Sequence, residues 1–319
     1  MKNKDFPFPD VLRIETVGFC NFNCVHCPTG TVPNKRQVLK PDRFDAILDQ
    51  FRDAGYVPRV VVLYHGGEPL LNKNAAGYIR MLKEFGVEKT VITTNASLLT
   101  EERARDLILS GLDEMKVSFD GGTVEGNNAI RVNGDFSENA QNLIEFLQLK
   151  KVLNRDNPEV KIFNVRIFSE EAINEAQSKT WPIDSEMPQY IKEFFAPFAD
   201  ELEFRSFPAM VWPGFNQFGG FKQVAFSDVN PRYCGPLFET STILSNGEVV
   251  PCCYDLAGKV VFGNIFETPW AEIWDSPQYR SFRDNFRDRN YHDLCRKCAH
   301  VRPAYLCKSK PELEAAVFL

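Results

Sequence analysis

Hydrophobic positions along the first two thirds of the chain follow two alternating spacings. Short β-branched and apolar runs are followed by segments whose apolar residues recur every three or four positions, which indicates strands alternating with helices. The predicted strands are Leu12–Val17, Val60–His65, Thr90–Thr94, Met115–Phe119, Val160–Phe168 and Leu202–Phe207. The predicted helices are Pro41–Ala54, Ala75–Phe85, Glu101–Ser110, Glu138–Val152 and Met187–Phe198. This alternation predicts an α/β fold with a parallel sheet, and six strands are enough for a partial (β/α)6 barrel.

The helix predicted at Glu101 has recognisable ends. Thr100 is a candidate N-cap, and Glu101 and Glu102 fall in the first turn, where the helix dipole favours negative charge. Gly111 can end the helix in a left-handed conformation.

After Phe207 the pattern changes. The stretch FPAMVWPGFNQFGGF is rich in Pro, Gly and aromatic residues, which indicates a linker or a substrate-facing loop. Further on, β-branched runs on both sides of Asn246-Gly247 predict a β-hairpin. We therefore expect a barrel domain followed by a smaller domain. The division falls between residues 1–215 and residues 216–319.

Charge and cysteine content narrow the functional classes. The chain has 319 residues, 37 Lys and Arg against 43 Asp and Glu, and no basic block, which argues against a duplex nucleic-acid binder. No apolar run is long enough for a signal peptide or a bilayer span, so we expect a cytoplasmic protein without membrane partners. In a reducing compartment, the nine cysteines are better explained as metal ligands or catalytic groups than as disulfides.

Three cysteines stand close together in FCNFNCVHCPTG, at Cys20, Cys24 and Cys27. A structural zinc site or a closed iron–sulfur cluster needs four protein ligands. One reading is a zinc site completed by His26, although all four groups would then come from one short loop. The sharper reading is an iron–sulfur cluster with one iron left open, because catalytic metals keep a free coordination position.

The Cys-x3-Cys-x2-Cys spacing after the first predicted strand resembles the radical S-adenosylmethionine (radical SAM) superfamily. The resemblance implies that Cys20, Cys24 and Cys27 hold a 4Fe–4S cluster, and that the amino and carboxylate groups of SAM bind its fourth iron. It also implies that His26 lies beside the adenine of SAM.

Further motifs strengthen this resemblance. In LYHGGEPLLN, Gly66 and Gly67 allow close backbone approach and Glu68 offers a carboxylate to an ammonium, as in the GGE motif that binds the SAM amino group in this family. Polar residues at the ends of later strands lie where parallel folds bind ligands. By resemblance, the candidates for contacting the SAM ribose or carboxylate are Asn95, Ser118, Asp120 and Arg131.

The last third of the chain carries a second cysteine group. Cys295-x2-Cys298 has a metal-ligand spacing, and its partners are Cys234 and either Cys252 or Cys253. This region resembles the SPASM extension of radical SAM enzymes, in the shortened form called twitch, which implies one closed auxiliary 4Fe–4S cluster. The ligand set implied by the resemblance is Cys234, Cys252, Cys295 and Cys298. Cys307 is then interpreted as a buried or idle thiol.

The resemblance implies a radical SAM oxidoreductase with two 4Fe–4S clusters. We expect it to form a 5′-deoxyadenosyl radical, to take a hydrogen atom from a small polyol, sugar or aminoglycoside-like substrate, and to use the auxiliary cluster as electron acceptor in an alcohol dehydrogenation. An external reductant such as flavodoxin or ferredoxin is expected as a partner. Three candidates for the base are Arg205, Tyr64 and Asp255, among which the sequence does not choose.

The sequence also allows three other functions. An epimerase would use Cys253 as a catalytic hydrogen-atom donor. SPASM-type enzymes also modify peptides, although only about ten residues precede the first predicted strand. A non-enzymatic iron–sulfur or zinc-binding protein is disfavoured because no fourth cysteine follows Cys27 before Cys234.

Overall fold

Six parallel strands in chain order form the centre of the fold. The computed structural model describes residues 6–31, 37–170, 187–215 and 221–308, so residues 216–220 of the predicted linker lie outside the described residues. The six strands are β1 (Val11–Ile14), β2 (Val60–Val62), β3 (Lys89–Thr94), β4 (Glu114–Ser118), β5 (Glu159–Arg166) and β6 (Leu202–Pro208). Each strand pairs with the next in parallel, which confirms the predicted α/β class and partial barrel order.

Crossover helices pack on one face of this sheet. They are α1 (Pro41–Asp53), α2 (Ala75–Phe85), α3 (Glu101–Leu109), α4 (Val124–Ile130), α5 (Phe136–Val152) and α6 (Gln189–Phe194), with 3-10 turns at Pro28–Thr31, Pro69–Leu71 and Ala196–Glu201. Alternate strand residues such as Leu12, Ile14, Val61 and Ile92 are buried in the core between sheet and helices. Because side chains alternate along a strand, the residues between them face the other side of the sheet.

The predicted ends of α3 are confirmed. The Thr100 hydroxyl accepts a hydrogen bond from the Arg103 amide, and Gly111 follows the helix with a φ of 85°. The helix predicted over Met187–Phe198 is wrong in its length, since α6 ends at Phe194 and only a 3-10 turn follows. Pro197 explains the break, because a proline disfavours the helical conformation of the residue before it.

Helix α4 was not predicted from the sequence. It begins after Thr123, whose hydroxyl accepts a hydrogen bond from the Gly126 amide. Thr123 as an N-cap with Glu125 in the first turn is a start signal, but Gly126 and two asparagines weaken the helical pattern.

The predicted hairpin around Asn246-Gly247 is present, but it extends the barrel sheet. Strands β8 (Thr240–Ile243) and β9 (Glu248–Val250) form the hairpin, and Gly247 at the turn has a φ of 89°. Strand β8 pairs with β1 in parallel, and β10 (Gly263–Asn264) pairs with β9. The described chain therefore has one sheet of nine strands in the order β10-β9-β8-β1-β2-β3-β4-β5-β6. Three strands of the last third thus extend the predicted six-stranded barrel sheet beyond β1.

Short elements complete the last third of the chain. The helices are α7 (Gly235–Phe238), α8 (Trp270–Trp274), α9 (Pro277–Arg287) and α10 (Asp293–Arg296), and β10 is Gly263–Asn264. Strands β7 (Phe221–Ala225) and β11 (Ala304–Lys308) form a separate antiparallel pair. Cys307 is fully buried in β11, which confirms the buried thiol.

Candidate active site

The first three cysteines lie on one loop that leaves the carboxyl end of β1. Cys20, Cys24 and Cys27 are all half-buried, and the Cys27 amide donates to the Cys24 carbonyl at 3.0 Å. Burial raises the pKa of Cys20 to about 11 and of Cys24 to about 12. Thiols in this setting need a cation to become thiolates, which is what the irons of a cluster supply.

This cysteine loop is anchored to the end of α4. The Asn23 amide donates to the Val132 carbonyl at 2.9 Å, and the Val25 amide donates to the Ile130 carbonyl at 3.0 Å. The backbone between the cysteines is thus held by the one helix in this region that the sequence did not predict.

A buried ionic cluster supports the same loop. His26 Nε2 lies 3.0 Å from Asp120 Oδ2, and Arg131 Nη1 donates to the same oxygen at 2.7 Å. Asp120 Oδ1 accepts from the Val165 amide at 2.8 Å. Although burial opposes the charge, Arg131 and His26 lower the pKa of Asp120 to about 2. Three residues predicted to contact SAM, His26, Asp120 and Arg131, therefore have protein partners. Asp120 connects β4 to α4 and to the cysteine loop.

Glu68 is a buried carboxylate in the turn after β2. It is 2% exposed, and its oxygens accept hydrogen bonds from the Leu70 amide, the Thr94 hydroxyl and the Asn95 amide at 2.8–3.0 Å. Burial is the largest influence and raises its pKa. No Lys or Arg of the described residues forms an ion pair with it, so its charge suits an ammonium ligand.

The turn before Glu68 touches the cysteine loop directly. Gly66 is buried, and a Cβ added at Gly67 would lie 2.2 Å from the Val17 carbonyl oxygen and 2.5 Å from that of Phe19. The Glu68 amide donates to the Phe19 carbonyl at 3.0 Å. The two predicted SAM motifs are thus brought into backbone contact.

Asn95 and Ser118 extend this region across the strand ends. The Asn95 side-chain amide lies 3.9 Å from Cys20 Sγ and donates to Asn21 Oδ1 at 3.0 Å. Ser118 ends β4 on the face away from the helices, and its hydroxyl has no hydrogen-bond partner within the described ranges. Three thiols, an unpaired buried carboxylate and strand-end polar groups fit a cluster with SAM, whose ammonium Glu68 would bind.

Four cysteines of the last third converge on one enclosed pocket. Cys234 precedes α7, Cys252 follows β9, Cys295 lies in α10 and Cys298 follows that helix. The rest of the pocket lining is mostly apolar and includes Leu237, Tyr254, Phe282, Phe286, Leu294 and Val301. Burial raises the pKa of Cys234 to about 11 and of Cys295 and Cys298 to about 12. This donor set fits a fully ligated iron–sulfur cluster.

Cys253 takes a different position from Cys252. It does not line the four-cysteine pocket, and burial raises its pKa while the positive charge of Arg13, on β1, lowers it. The lining of the pocket thus groups Cys252, and not Cys253, with the other three cysteines.

Two of the three candidate bases have other roles. Asp255 Oδ1 and Oδ2 accept hydrogen bonds from the Lys259 and Val260 amides, both at 2.8 Å, so this carboxylate shapes its own loop. Arg205 on β6 is exposed and bonded to Glu203. Tyr64 faces the inside of the barrel beside Arg13, which lies 5.1 Å from its ring.

The described residues contain neither a site for a single metal ion nor a membrane-spanning helix. Within the described ranges, no three His, Cys, Asp or Glu side chains are spaced to hold one shared metal ion. A 4Fe–4S cluster binds each thiolate to a different iron, so its ligands need not converge on one point. No helix in the described part of the chain is long and apolar enough to cross a membrane.

Comparison with known proteins agrees with both sites. Residues 14–154 match the family model of the radical SAM superfamily, and residues 234–299 match that of the SPASM iron–sulfur cluster-binding domain. The S-adenosyl-L-methionine-dependent 2-deoxy-scyllo-inosamine dehydrogenase of Niallia circulans is 21% identical over 295 residues, covering 91% of this chain and 93% of the relative. The AdoMet-dependent heme synthase of Nitratidesulfovibrio vulgaris is 24% identical over 361 residues, covering 96% and 94%.

A solved structure shares the fold over nearly the full length. The crystal structure of BtrN in complex with AdoMet and 2-DOIA superposes with a TM-score of 0.56 at 18% identity, covering 93% of this chain and 94% of that one. The radical SAM model implies SAM with a 4Fe–4S cluster, and the SPASM model implies auxiliary iron–sulfur binding. Residues 14–154 therefore form a radical SAM domain and residues 234–299 a SPASM domain, and the protein is a radical SAM enzyme with an auxiliary iron–sulfur domain in its last third.

Proposed function

We propose that this enzyme oxidises an alcohol of a small polyol or aminocyclitol to a ketone. The observation that carries the proposal is the enclosed pocket of Cys234, Cys252, Cys295 and Cys298, because a cluster with four thiolate ligands has no open iron for substrate and is suited to accept an electron. The similarity to a 2-deoxy-scyllo-inosamine dehydrogenase over nine tenths of both chains supports the substrate class.

The residues divide into two sets in this proposal. Cys20, Cys24 and Cys27 hold the SAM-binding cluster, Glu68 binds the SAM ammonium, and Asn95 and Ser118 line the same side. When bound, SAM and its cluster supply a 5′-deoxyadenosyl radical that removes a substrate hydrogen atom. Asp120 and Arg131 position the cysteine loop through His26, and an external flavodoxin or ferredoxin delivers the electron. The functional division follows residues 1–215 and 216–319.

Iron content tests the two-cluster arrangement. After anaerobic reconstitution we expect about eight irons per chain, and about four in the variant with Cys20, Cys24 and Cys27 replaced by Ala. Cys252→Ala should lower the auxiliary iron content, whereas its neighbour Cys253→Ala is the matched control and should keep it. Equal iron loss in both single variants would contradict the assignment of Cys252.

Turnover tests the reaction. With dithionite and SAM, we expect 5′-deoxyadenosine and ketone in equal amounts from 2-deoxy-scyllo-inosamine or a related polyol in a panel. A full iron complement with 5′-deoxyadenosine but no ketone from any polyol would refute the proposed function.

The position of Cys253 favours one second candidate, an epimerase. Because this thiol does not line the four-cysteine pocket, it is not part of that ligand set and could deliver a hydrogen atom to a substrate radical. Turnover in D₂O separates the candidates. Deuterium at an inverted carbon, lost in Cys253→Ala, indicates epimerisation, whereas a ketone without carbon-bound deuterium indicates dehydrogenation.

A further inference from the structure

The inner face of the barrel sheet carries a compact group of polar side chains. Leu12 and Ile14 of β1 are buried against the helices, so Arg13 between them points to the opposite side. Arg13 Nη1 donates to the Tyr64 carbonyl at 3.3 Å, and its guanidinium lies 5.1 Å from the centre of the Tyr64 ring. Lys116 of β4 faces the same tyrosine and lies 5.1 Å from the Phe163 ring of β5.

Arg13 is a half-buried cation without a carboxylate partner among the described residues. The Nε atom of Arg13 is buried and has no hydrogen-bond partner among the residues that the structure describes. Burial lowers the pKa of Arg13, but Tyr64 and, from the last third of the chain, Cys253 and Tyr254 outweigh this and raise it. A buried guanidinium is costly unless a negative charge compensates it. The tyrosine beside it can supply that charge by losing its proton.

An alcohol dehydrogenation needs a group that accepts the hydroxyl proton, and the inner-face carboxylates are poor acceptors. Glu114 forms ion pairs at 2.7–3.2 Å with Lys89, Lys116 and Lys161, and although burial opposes this, these cations lower its pKa to about 2. Glu203 is ion-paired with Lys161 at 2.7 Å and with Arg205.

Other carboxylates near the strand ends are held by protein groups, and Glu15, which follows β1, accepts from the Ser245 amide and hydroxyl at 3.1 and 2.8 Å. Asp120 is held by Arg131 and His26, and Asp255 accepts two backbone amides. Glu68 accepts three hydrogen bonds and is assigned to the SAM ammonium. Tyr64 lies only four residues before Glu68, in the segment that follows β2.

We propose that Tyr64 is the catalytic base that takes the substrate hydroxyl proton, and that Arg13 is the positioning residue that stabilises its phenolate. This inference rests on the proposed dehydrogenation. After the hydrogen atom has left the carbinol carbon, the substrate O–H bond breaks and the proton passes to the Tyr64 oxygen. The electron left on the carbon passes to an oxidised iron–sulfur cluster, and the carbon becomes a ketone.

The electrostatics of the site agree with this role. Burial alone would raise the pKa of Tyr64, but Arg13 on β1 and Lys116 on β4 outweigh it, and Thr93 on β3 acts in the same direction, so the pKa is lowered. Only the deprotonated phenol accepts a proton, so the dehydrogenation rate rises with pH through the Tyr64 pKa and levels off above it.

The first test measures that pKa without substrate. 3-Fluorotyrosine is placed at position 64 of the full enzyme and titrated by ¹⁹F NMR. The same probe at position 56 is the matched control, because burial raises the pKa of Tyr56, which donates to the Pro9 carbonyl at 2.6 Å. We expect a midpoint below that of free 3-fluorotyrosine at position 64 and above it at position 56. A midpoint at position 64 that equals or exceeds the free value overturns the proposal.

The second test separates proton transfer from hydrogen abstraction. The enzyme is given 2-deoxy-scyllo-inosamine, or the polyol that it turns over, deuterated at the reacting carbon. In Tyr64→Phe, ketone formation should fall by about 10²-fold or more while deuterium still enters 5′-deoxyadenosine. Tyr56→Phe should keep both.

The outcomes distinguish this inference from the proposed function. Absence of ketone from the wild type refutes dehydrogenation itself. Ketone formation in Tyr64→Phe at the wild-type rate refutes the base while the function stands. An equal loss of ketone and of deuterium transfer shows that Tyr64 only positions substrate, and this also overturns the proposal.

Discussion

Gly67→Ala is expected to separate the cysteine loop from the turn that carries Glu68. The added methyl would lie 2.2 Å from the Val17 carbonyl oxygen and 2.5 Å from that of Phe19. Both obstacles are backbone atoms, so no side chain can rotate away from the clash. To restore van der Waals contact, the two segments must move apart by about 1 Å, which also weakens the 3.0 Å hydrogen bond from the Glu68 amide to Phe19.

The expected loss of stability follows from these contacts. Overpacking of a tight interior costs about 1–3 kcal/mol, and immobile backbone places this clash at the upper end. A weakened buried hydrogen bond adds about 1 kcal/mol. We therefore expect the free energy of unfolding to fall by roughly 3 kcal/mol, and SAM affinity to fall because Glu68 moves relative to the three thiols.

Gly77→Ala provides the matched control. Gly77 lies within α2, and a Cβ there would meet no atom within 4 Å. Alanine is the better helix former by about 0.5–1 kcal/mol, so this variant should be slightly more stable than the wild type. Urea unfolding followed by circular dichroism, with anaerobic SAM binding by equilibrium dialysis, compares the two. Wild-type stability and SAM affinity in Gly67→Ala would refute the close approach of these two segments.

Three further changes probe the charges around the site. Glu68→Gln removes the buried negative charge, so the Kd of SAM should rise roughly 10- to 100-fold when it is measured by equilibrium dialysis. An unchanged Kd would contradict the assignment of Glu68 to the SAM ammonium. Arg131→Met leaves the Asp120 carboxylate buried with one partner fewer. The free energy of unfolding, measured with urea at pH 7, should therefore fall by about 3–5 kcal/mol. A fall of under about 1 kcal/mol would contradict a stabilising buried ion pair. The pKa of Asp120 is lowered from 3.8 to about 2, so it contributes about 2 kcal/mol of stability above pH 4 that is lost as the pH falls toward 2. In Asp120→Asn, urea titrations between pH 4 and pH 2 should lack this part of the pH dependence of stability. An unchanged pH profile would show that Asp120 does not contribute it.

The parts of the fold that depend on local pattern could be predicted from the sequence. Strands buried on one face and helices with apolar stripes have distinct periods, and Thr100 and Gly111 mark the ends of α3 through local backbone chemistry. The cysteine spacings also predicted metal ligands directly, because Cys20 to Cys27 and Cys295 to Cys298 each lie within one loop or turn. The convergence of Cys234 and Cys252 on the second pair was implied only by resemblance.

The parts that depend on distant contacts could not be predicted in this way. The pairing of β8 with β1 joins residues about 230 positions apart, and nothing in either strand specifies its neighbour. Helix α4 contains Gly126 and owes its position to packing and to the cysteine loop that docks on its end. The ion pair of Arg131 with Asp120 likewise follows from the tertiary fold and was not predicted from the sequence.

Strand β1 links the two cluster regions through short paths. Its carboxyl end leads into the loop with Cys20, Cys24 and Cys27, and its edge pairs with β8 of the hairpin that leads to Cys252. Arg13, in the middle of this strand, donates to the Tyr64 carbonyl at 3.3 Å, and both Tyr64 and Cys253 raise its pKa. In the proposed reaction, the Arg13 cation stabilises the Tyr64 phenolate, so proton loss and electron transfer are favoured over hydrogen-atom return, and a ketone is expected rather than an epimer.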